Sequence, residues 1–332
     1  MRLIRTSLLL AAFAEVSLVL PSDCQGQTNV SGGLPVSSSS NPVPRKLAEG
    51  VLTIVPPNPQ PEETSLGPID LDLVKQHPEL AWSAPDFPEN APFFSSGSET
   101  LLEKSRNVVL RHPVFALEFA FKPVRMIQME SGEGPAKLVW YMIYRVRYLG
   151  NDLHPNLSEG DEGIPVPDEP TRKVSDSVVF VPRFSLIATQ SKKEIPEKII
   201  PAVKNLIAAR ERVGKPLLDS VEIMRRIPKS TAGVSNEFWG LATWTNIDPS
   251  TDFFAVHVEG LTNAYRIKET AEGRTFEKKV LQIHFWRPGD SIDPTKDVIR
   301  LGVPAFEQEE RVKYALDQFG LEQRLDYKWI YR

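Results

Sequence analysis

The sequence predicts a mainly β protein, an antiparallel β-sandwich of the immunoglobulin-like kind with one or two amphipathic helices. Three observations predict it. Apolar and polar residues alternate with a period of two along several segments of residues 101–332, as they do in half-buried strands. Short turn-forming segments separate these strands, which favours antiparallel pairing. Only two segments space their apolar residues as a helix does. A partly open β-barrel is the alternative arrangement of the same strands.

The clearest predicted strand covers residues 138–148. Its even-numbered positions are apolar or aromatic, from Trp140 to Tyr148, whereas Arg145 and Arg147 occupy odd positions. Successive side chains of a strand point to opposite faces of the sheet. We therefore expect the even-numbered side chains in the core and the two arginines on the outer face.

The other elements follow from the same two spacings. Pro182 indicates an edge or a bulge in one strand. One helix is expected to begin between residues 197 and 201 and to end before Gly214, and a second ends at Gly320, because glycine is favoured just after a helix. The remaining predicted strands are residues 117–122, 178–188, 239–245, 253–260, 276–286 and 327–331.

Residues 1–26 have the pattern of a secretory signal peptide. Arg2 and Arg5 precede an apolar run, and small residues follow it. Glu15 interrupts that run, which disfavours a permanent membrane anchor. Cleavage after Gly26 is the main expectation, and an uncleaved anchor or a lipid on Cys24 are the alternatives. The expected location is therefore outside the cytoplasm: periplasmic, at the cell surface or extracellular, with no membrane span after cleavage.

Two segments separate the leader from the predicted domain. Residues 27–65 are rich in serine and proline and lack aromatic residues, so they are predicted to be a disordered tether. Short apolar pieces near Val55 could still dock on the domain. Residues 66–100 combine prolines with aromatic residues, which suggests an ordered wrap along the surface of the domain that begins at residue 101.

Composition excludes several classes of function. The net charge of −4 provides no basic field for nucleic acid. Cys24 is the one cysteine, so cleavage after Gly26 would leave no thiol nucleophile and no thiolate metal site. No sequence motif for a nucleotide, a metal protease or a nucleophilic serine occurs, so we assign no catalytic residue and no cofactor.

His257, Glu259 and His284 are the strongest candidates for a metal site, and they are weak ones. If their strands are neighbours, all three side chains lie on the sheet face opposite the apolar residues. Two imidazoles and a carboxylate are ligands that zinc accepts. A half-solvated sheet face carries such residues anyway, so the favoured interpretation is an ordinary polar face without a metal.

Two other polar or aromatic features have ordinary explanations. Asn246, Asp248 and Asp252 could ligate calcium, but a turn stabilised by an aspartate side chain is the favoured interpretation. Trp286 is out of phase with the apolar residues of its strand, so it is the tryptophan most expected to be exposed. Trp286 is therefore a candidate ligand contact, for a sugar ring or a protein partner.

Four segments carry a resemblance to a known family. They are residues 239–249 (WGLATWTNIDP), 258–265 (VEGLTNAY), 284–290 (HFWRPGD) and 327–332 (YKWIYR). They resemble a family of uncharacterised secreted proteins of planctomycete-type bacteria, over roughly residues 100–332. The family has no known activity. The resemblance therefore implies a bacterial envelope or secreted setting and assigns no site residue.

The sequence thus predicts an exported, non-catalytic envelope or interaction protein, because a tether precedes the domain and catalytic motifs are absent. Its expected partner is an envelope protein or a glycan. A carbohydrate-binding module is the first alternative, and a hydrolase or metal enzyme is the second.

Overall fold

Two β-sheets packed face to face form the fold in a computed structural model of the chain. The structure describes residues 52–69, 71, 105, 108–131, 134–159, 165–231, 233–248, 250–270, 273–289 and 294–332. These residues belong to one compact unit, Ala48–Arg332. The predicted signal peptide, the tether as far as residue 51 and nearly all of the predicted wrap lie outside the described residues.

Sheet 1 is built around one long strand. It consists, in order, of β1 (Thr53–Val55), β4 (Leu117–Phe121), β6 (Gly134–Tyr148), β14 (Glu237–Trp244) and β12 (Leu217–Leu218), and β5 (Arg125–Ser131) also pairs with β6. The strand β6 is 15 residues long and contributes to three of these pairings, with β4, β5 and β14. All pairs are antiparallel except β12 with β14.

Sheet 2 is antiparallel throughout. It consists, in order, of β11 (Lys193–Pro196), β10 (Arg183–Ala188), β15 (Phe253–Glu259), β17 (Gly273–Trp286) and β16 (Tyr265–Thr270), and β18 (Arg300–Leu301) and β19 (Tyr327–Tyr331) also pair with β17. Three small antiparallel pairs complete the strands: β2 (Ser65–Ile69) with β3 (Val108–Arg111), β7 (Leu153–Glu159) with β8 (Pro165–Arg172), and β9 (Ser177–Val179) with β13 (Arg226–Pro228).

The core lies between the two sheets. Trp140 and Trp244 are fully buried, and the Trp140 ring meets the edge of Phe254 from sheet 2 at 5.2 Å. Tyr144 lies over Gly240, where an added Cβ would stand 2.1 Å from the tyrosine ring. The neighbouring strand therefore needs glycine opposite Tyr144. The prediction of a mainly β, sandwich-like fold is confirmed.

Each sheet carries one helix on its outer face. The helix α1 (Pro201–Glu211) packs Val203 and Ile207 on sheet 1. It ends before Gly214 as predicted, but Arg212, in the left-handed conformation at φ 50°, takes the capping position expected for that glycine. The helix α2 (Glu309–Phe319) packs Ala315 and Phe319 on sheet 2, and Gly320 ends it as expected. Neither these nor any other helix of the described residues is long and apolar enough to cross a bilayer.

Paired charges occupy the outer face of sheet 1. Glu211, at the end of α1, accepts hydrogen bonds from Lys122 at 3.0 Å, Arg125 at 2.9 Å and the Tyr141 hydroxyl at 2.7 Å. Its side chain is 2% exposed. These donors hold the pKa of Glu211 below its ordinary value against the opposing effect of burial. The carboxylate is thus buried with its countercharges.

The arginines of β6 lie where the alternation predicts them. Arg147 forms a two-bond pair with Glu118 of β4, at 2.7 and 2.8 Å, and Arg145 adds a third bond at 3.1 Å. Tyr148, on the opposite face, is fully buried in the core. The period of two therefore assigned both faces of β6 correctly.

Part of the segment predicted to be a disordered tether is folded onto the domain. Thr53–Val55 pair with β4, and Val55 is 1% exposed in the core. Pro61–Thr64 form a 3-10 turn that buries Glu63. The prediction that the tether extends to residue 65 is wrong for residues 52–65. This segment is ordered by contacts with distant parts of the chain. Val55 packs in the core beside β4, and Glu63 pairs with Lys279 and Tyr331.

Proline positions produced the other differences. The predicted strand 178–188 is two strands, β9 and β10, because Pro182 and its neighbours leave the sheet between them. The strand β10 is an inner strand of sheet 2 and not an edge. The prolines at 165, 167 and 170 all belong to β8, which pairs with a single partner strand. One free edge lets a strand tolerate residues without an N–H donor.

Candidate functional site

A cleft of about 830 Å³ opens beside the corner where β15 leads into β16. Its walls come from the segments 179–183, 259–265 and 276–279, with Phe115 and Met224. The size is in the range of about 300–1,000 Å³ that is usual for ligand sites. It is the leading candidate for a functional site among the residues that the structure describes.

The corner of the cleft is fixed by a close approach of two chain segments. Gly260 has φ 88°, and a Cβ at this position would stand 2.1 Å from the carbonyl oxygen of Val181. Only glycine accepts both the positive φ and this contact. The segment that precedes β10 can therefore lie directly against the end of β15.

A side chain holds the other end of the corner. The Asn263 amide donates to the carbonyl of Pro113 at 2.8 Å, and its oxygen accepts from the Phe115 N–H at 2.9 Å. Thr262 also forms a backbone bridge with Ala116. The wall of the cleft is thus tied to the chain that enters sheet 1, which gives the site a rigid base.

Apolar side chains at the cleft are exposed to solvent. Phe276 is 62% exposed, Val181 54% and Met224 45%. The Tyr265 ring stacks on His112 at 4.9 Å between ring centres, and Phe276 lies 5.8 Å from Tyr265 at a tilt of 58°. Several large apolar side chains that meet at one concave surface mark an interaction site more strongly than single exposed ones do.

Some of the charged side chains at the cleft are paired with another residue, and others are not. Lys279 is buried and donates to Glu63 and to the carbonyl of Asn58. Arg183, Glu259 and Lys278 make no ion pair or side-chain hydrogen bond among the described residues. Two free cations and one free carboxylate therefore remain at the cleft to meet a ligand.

The three predicted metal ligands do not form one group. His257 and His284 lie on adjacent strands, where His257 pairs with Gln282 and His284 with Ala255, and both point to the outer face of sheet 2. Glu259 instead lines the cleft. The described residues contain no cluster of three or more histidine, cysteine or carboxylate side chains with the geometry to hold a metal ion.

Hydrogen bonds fix how the two imidazoles carry their protons. Arg332 donates to Nδ1 of His257, because a guanidinium has no lone pair with which to accept. The neutral His257 ring therefore carries its proton on Nε2, and that nitrogen has no lone pair for a metal. Nδ1 of His284 donates to the carbonyl of Leu325 at 2.8 Å, which leaves its Nε2 as an acceptor. Both Nε2 atoms are buried, and neither has a hydrogen-bond partner within the described part of the chain.

Burial keeps both rings neutral. Burial and, to a smaller extent, the positive charge of Arg332 together lower the pKa of His257 to about 4. Burial also lowers the pKa of His284 to about 4, while the Leu325 carbonyl acts in the opposite direction. Both rings are therefore uncharged structural groups, with His284 beneath Phe319 of α2 and His257 beside Arg332.

One buried carboxyl has the opposite behaviour. Burial raises the pKa of Glu197 to about 7, with a hydrogen bond from the Ser220 hydroxyl at 2.5 Å opposing the rise. Its backbone N–H donates to the carbonyl of Phe184 on β10. Glu197 is not among the residues that line the cleft.

The remaining predicted features lie away from the cleft. Trp286 is on the outer face of sheet 2, as its phase predicted, but it is only partly exposed, since Phe306 lies 6.5 Å from it and Arg300 lies 5.2 Å over its ring. Asp248 accepts from the N–H and the hydroxyl of Ser250, at 2.9 and 2.7 Å. This is the aspartate-stabilised turn that was favoured over a calcium site.

Sequence reasoning missed most of the cleft. Phe276 is out of phase with the core residues of β17, so the argument that selected Trp286 applies equally to it. Val181 and Met224 gave no such signal, because they lie in irregular segments without a period. Glu259 was selected for a metal, and its position at the cleft follows from the corner at Gly260.

Comparisons with known proteins add no relative. No protein-family model matches the chain, and no curated protein or solved structure matches it significantly. The resemblance to secreted planctomycete-type proteins therefore stays a prediction, and the fold and the cleft are the basis for a functional proposal.

Proposed function

We propose that this is an exported, non-catalytic interaction protein that binds a partner of the cell envelope at the cleft. The observation that carries the proposal is the exposure of Val181, Met224 and Phe276 around one concave surface. Apolar area that stays in water forgoes about 25 cal/mol per Å² of burial. A partner that covers these side chains recovers this free energy.

Export rests on the sequence of the first 26 residues. Their charge and apolar pattern is that of a cleaved leader. Sequencing the N terminus of the protein recovered from the cells that produce it tests this part. A mature chain that begins at Gln27 supports the proposal. An intact Met1 in a cytoplasmic fraction contradicts it, and a modified Cys24 replaces cleavage by a lipid anchor.

The aromatic side chains favour an interaction protein over a sugar-binding module. A sugar platform needs ring faces that are exposed together. Trp140 and Trp244 are buried in the core, and the Tyr265 and Phe276 rings at the cleft are tilted by 58°. We therefore propose a protein partner, and keep glycan binding as an outcome that the experiment can reveal.

Site-specific crosslinking tests the cleft. A photoreactive phenylalanine analogue replaces Phe276 in one protein and Tyr314 in a control, since Tyr314 is 51% exposed on α2 and does not line the cleft. Both are irradiated in an envelope extract of the producing organism. We expect one saturable adduct at position 276 that Met224→Asp abolishes, and none at position 314.

The composition of the adduct decides between the candidate functions. A polypeptide adduct supports the proposal, and a glycan adduct replaces it by carbohydrate binding. Equal labelling at both positions, or none at position 276, contradicts an interaction site at the cleft. Unchanged thermal unfolding of each variant shows that the domain is intact.

A further inference from the structure

The cleft presents main-chain groups as well as side chains. The N–H of Val181 has no hydrogen-bond partner among the described residues, whereas its carbonyl oxygen lies against Gly260 at the corner. The adjacent Pro182 has no N–H, so this segment cannot pair as a continuous strand. One wall of the cleft thus offers an unpaired donor.

Tyr265 offers both an N–H and a C=O from the other wall. Lys278, its partner on β17, exchanges both of its backbone bonds with Arg332, at 2.7 and 3.1 Å. The Tyr265–Lys278 pair is therefore a non-hydrogen-bonded one, in which both residues direct their backbone groups away from each other. The N–H and C=O of Tyr265 consequently point outward from β17, and no described residue pairs with them.

The strand β10 leaves room on this side of the sheet. Its pairing with β15 ends at Arg183 opposite Glu259, and the chain before Arg183 turns away to pair with β13 through β9. The strand β16 continues past this point along β17. The cleft lies in the fork between the departing segment and the start of β16.

The free charges set the chemistry of an occupant. Arg183 and Lys278 are cations without an ion pair among the described residues, and Glu259 is the free carboxylate beside them. These three groups sum to one positive charge, with Arg183 opposite Glu259 across β10 and β15, and the apolar side chains of Val181 and Phe276 line the same cleft. An occupant that carries both apolar and acidic side chains complements this surface.

We infer that the cleft binds an extended peptide segment of its partner, in which apolar residues alternate with acidic ones. The peptide accepts a main-chain hydrogen bond from Val181, exchanges main-chain bonds with Tyr265, buries its apolar side chains against Phe276 and Met224, and pairs its carboxylates with Arg183 and Lys278. This is recognition by strand addition, in which main-chain bonds supply affinity and side chains supply specificity. The inference rests on the proposed function and names the class of its partner.

Three labelled peptides of about ten residues test it, a length at the upper end of ordinary β-strands. The first alternates valine with aspartate, the second alternates valine with lysine, and the third is the acidic peptide with alternate backbone nitrogens methylated. Binding of each peptide to the full-length chain is measured by fluorescence anisotropy. We expect the acidic peptide to bind about tenfold or more tightly than either of the others, because the second reverses the charges and the third lacks the donors.

Matched variants locate the binding. Arg183→Gln combined with Lys278→Gln should weaken binding of the acidic peptide by about tenfold and reduce its dependence on salt. Phe276→Ser should weaken it without changing thermal unfolding, since the side chain is largely exposed. Lys215→Gln, an exposed lysine outside the cleft, is the control and should bind as the unmodified protein does.

The results that would overturn the strand-addition inference differ from those that would overturn the proposed function. Equal binding of the acidic and basic peptides, or full binding by the methylated peptide, overturns the strand-addition inference. So does binding of an oligosaccharide or of anionic phospholipid vesicles in place of any peptide. If position 276 still crosslinks to a partner while the acidic peptide does not bind, the proposed function stands and this inference is wrong.

Discussion

The outer faces of the two sheets carry buried polar groups, but in different charge states. On sheet 1, the Glu211 carboxylate is ionised and touches Lys122, Arg125 and the Tyr141 hydroxyl. On sheet 2, His257 and His284 are uncharged, and burial holds the pKa of each near 4. One face pairs its charges, whereas the other removes them by deprotonation. The first arrangement should be sensitive to loss of a partner, and the second to pH.

Removal of the Glu211 carboxylate from sheet 1 should cause the largest loss in the free energy of unfolding. Glu211→Ala leaves Lys122 buried without a countercharge, and breaking one partner of a buried ion pair costs about 3–5 kcal/mol. Denaturant unfolding at pH 7 measures this loss in the free energy of unfolding. Glu259→Ala removes an unpaired carboxylate and should change it by less than about 0.5 kcal/mol. Equal losses in the two variants would show that the Glu211 contacts contribute nothing special.

The second largest effect is expected from acid, which should destabilise the histidines of sheet 2. Each histidine has a folded pKa of about 4, below its ordinary 6.5, so the unfolded chain binds more protons between these values. Stability contributed by each ring is present above pH 6.5 and is lost as the pH falls towards 4. Between pH 7 and pH 5 this loss is about 2 kcal/mol for each histidine.

Glu197 acts in the opposite direction in the same window. Its folded pKa of about 7 is above its ordinary 4.5, so the folded chain binds more protons between them and gains about 2 kcal/mol when the pH falls from 7 to 5. The net loss of the unmodified protein should therefore be about 2 kcal/mol, measured by unfolding at the two pH values. Glu197→Gln should increase the loss, and His284→Asn should reduce it. A pH-independent stability in all three proteins would refute neutral histidines on sheet 2.

Removal of one hydroxyl should have a smaller effect on sheet 1. Tyr141→Phe deletes the 2.7 Å bond to Glu211 while both cationic partners remain. A hydrogen bond to a charged group contributes about 1.5–3 kcal/mol, and the loss should lie near the lower limit because Lys122 and Arg125 persist. The same unfolding experiment measures it. A loss as large as that of Glu211→Ala would mean that the tyrosine, and not the charge pairing, stabilises this face.

The smallest expected effect is at His257. Arg332→Gln removes the positive charge that donates to Nδ1, so the pKa of His257 should rise. The rise should be about one unit or less, because burial is the larger cause and persists. The imidazole proton resonances report this titration by nuclear magnetic resonance, with His284 in the same spectrum as the internal control. A fall in the pKa of His257 would show that Arg332 does not face the ring.

The comparison also shows what the sequence could predict. Alternation placed Arg145, Arg147 and Trp286 on the correct faces, because the period of a strand is a local property. It did not predict that Trp286 would be covered, since the covering residues, such as Phe306, come from a loop and helix later in the chain. Exposure depends on tertiary packing, which a local period does not contain.

The cleft was largely hidden from the sequence for the same reason. Its walls join segments about 80 residues apart, around Val181 and Glu259, and the join depends on a contact made at Gly260. Residues 52–65 were misassigned because their prolines suggested a chain without partners, whereas Val55 and Glu63 find theirs far along the sequence. Composition describes a segment alone and cannot report distant contacts.

The ion pair of Glu63 has a consequence for the order in which the protein can fold. Its partners, Lys279 and Tyr331, lie 216 and 268 residues further along the chain. The segment that contains Glu63 therefore cannot complete its contacts with the sandwich until nearly all of the described chain has been synthesised. Such distant closure slows folding. The segment around Glu63 therefore waits for β19, the last strand of the chain, before its carboxylate is fully paired, and this edge of the fold is among the last to close.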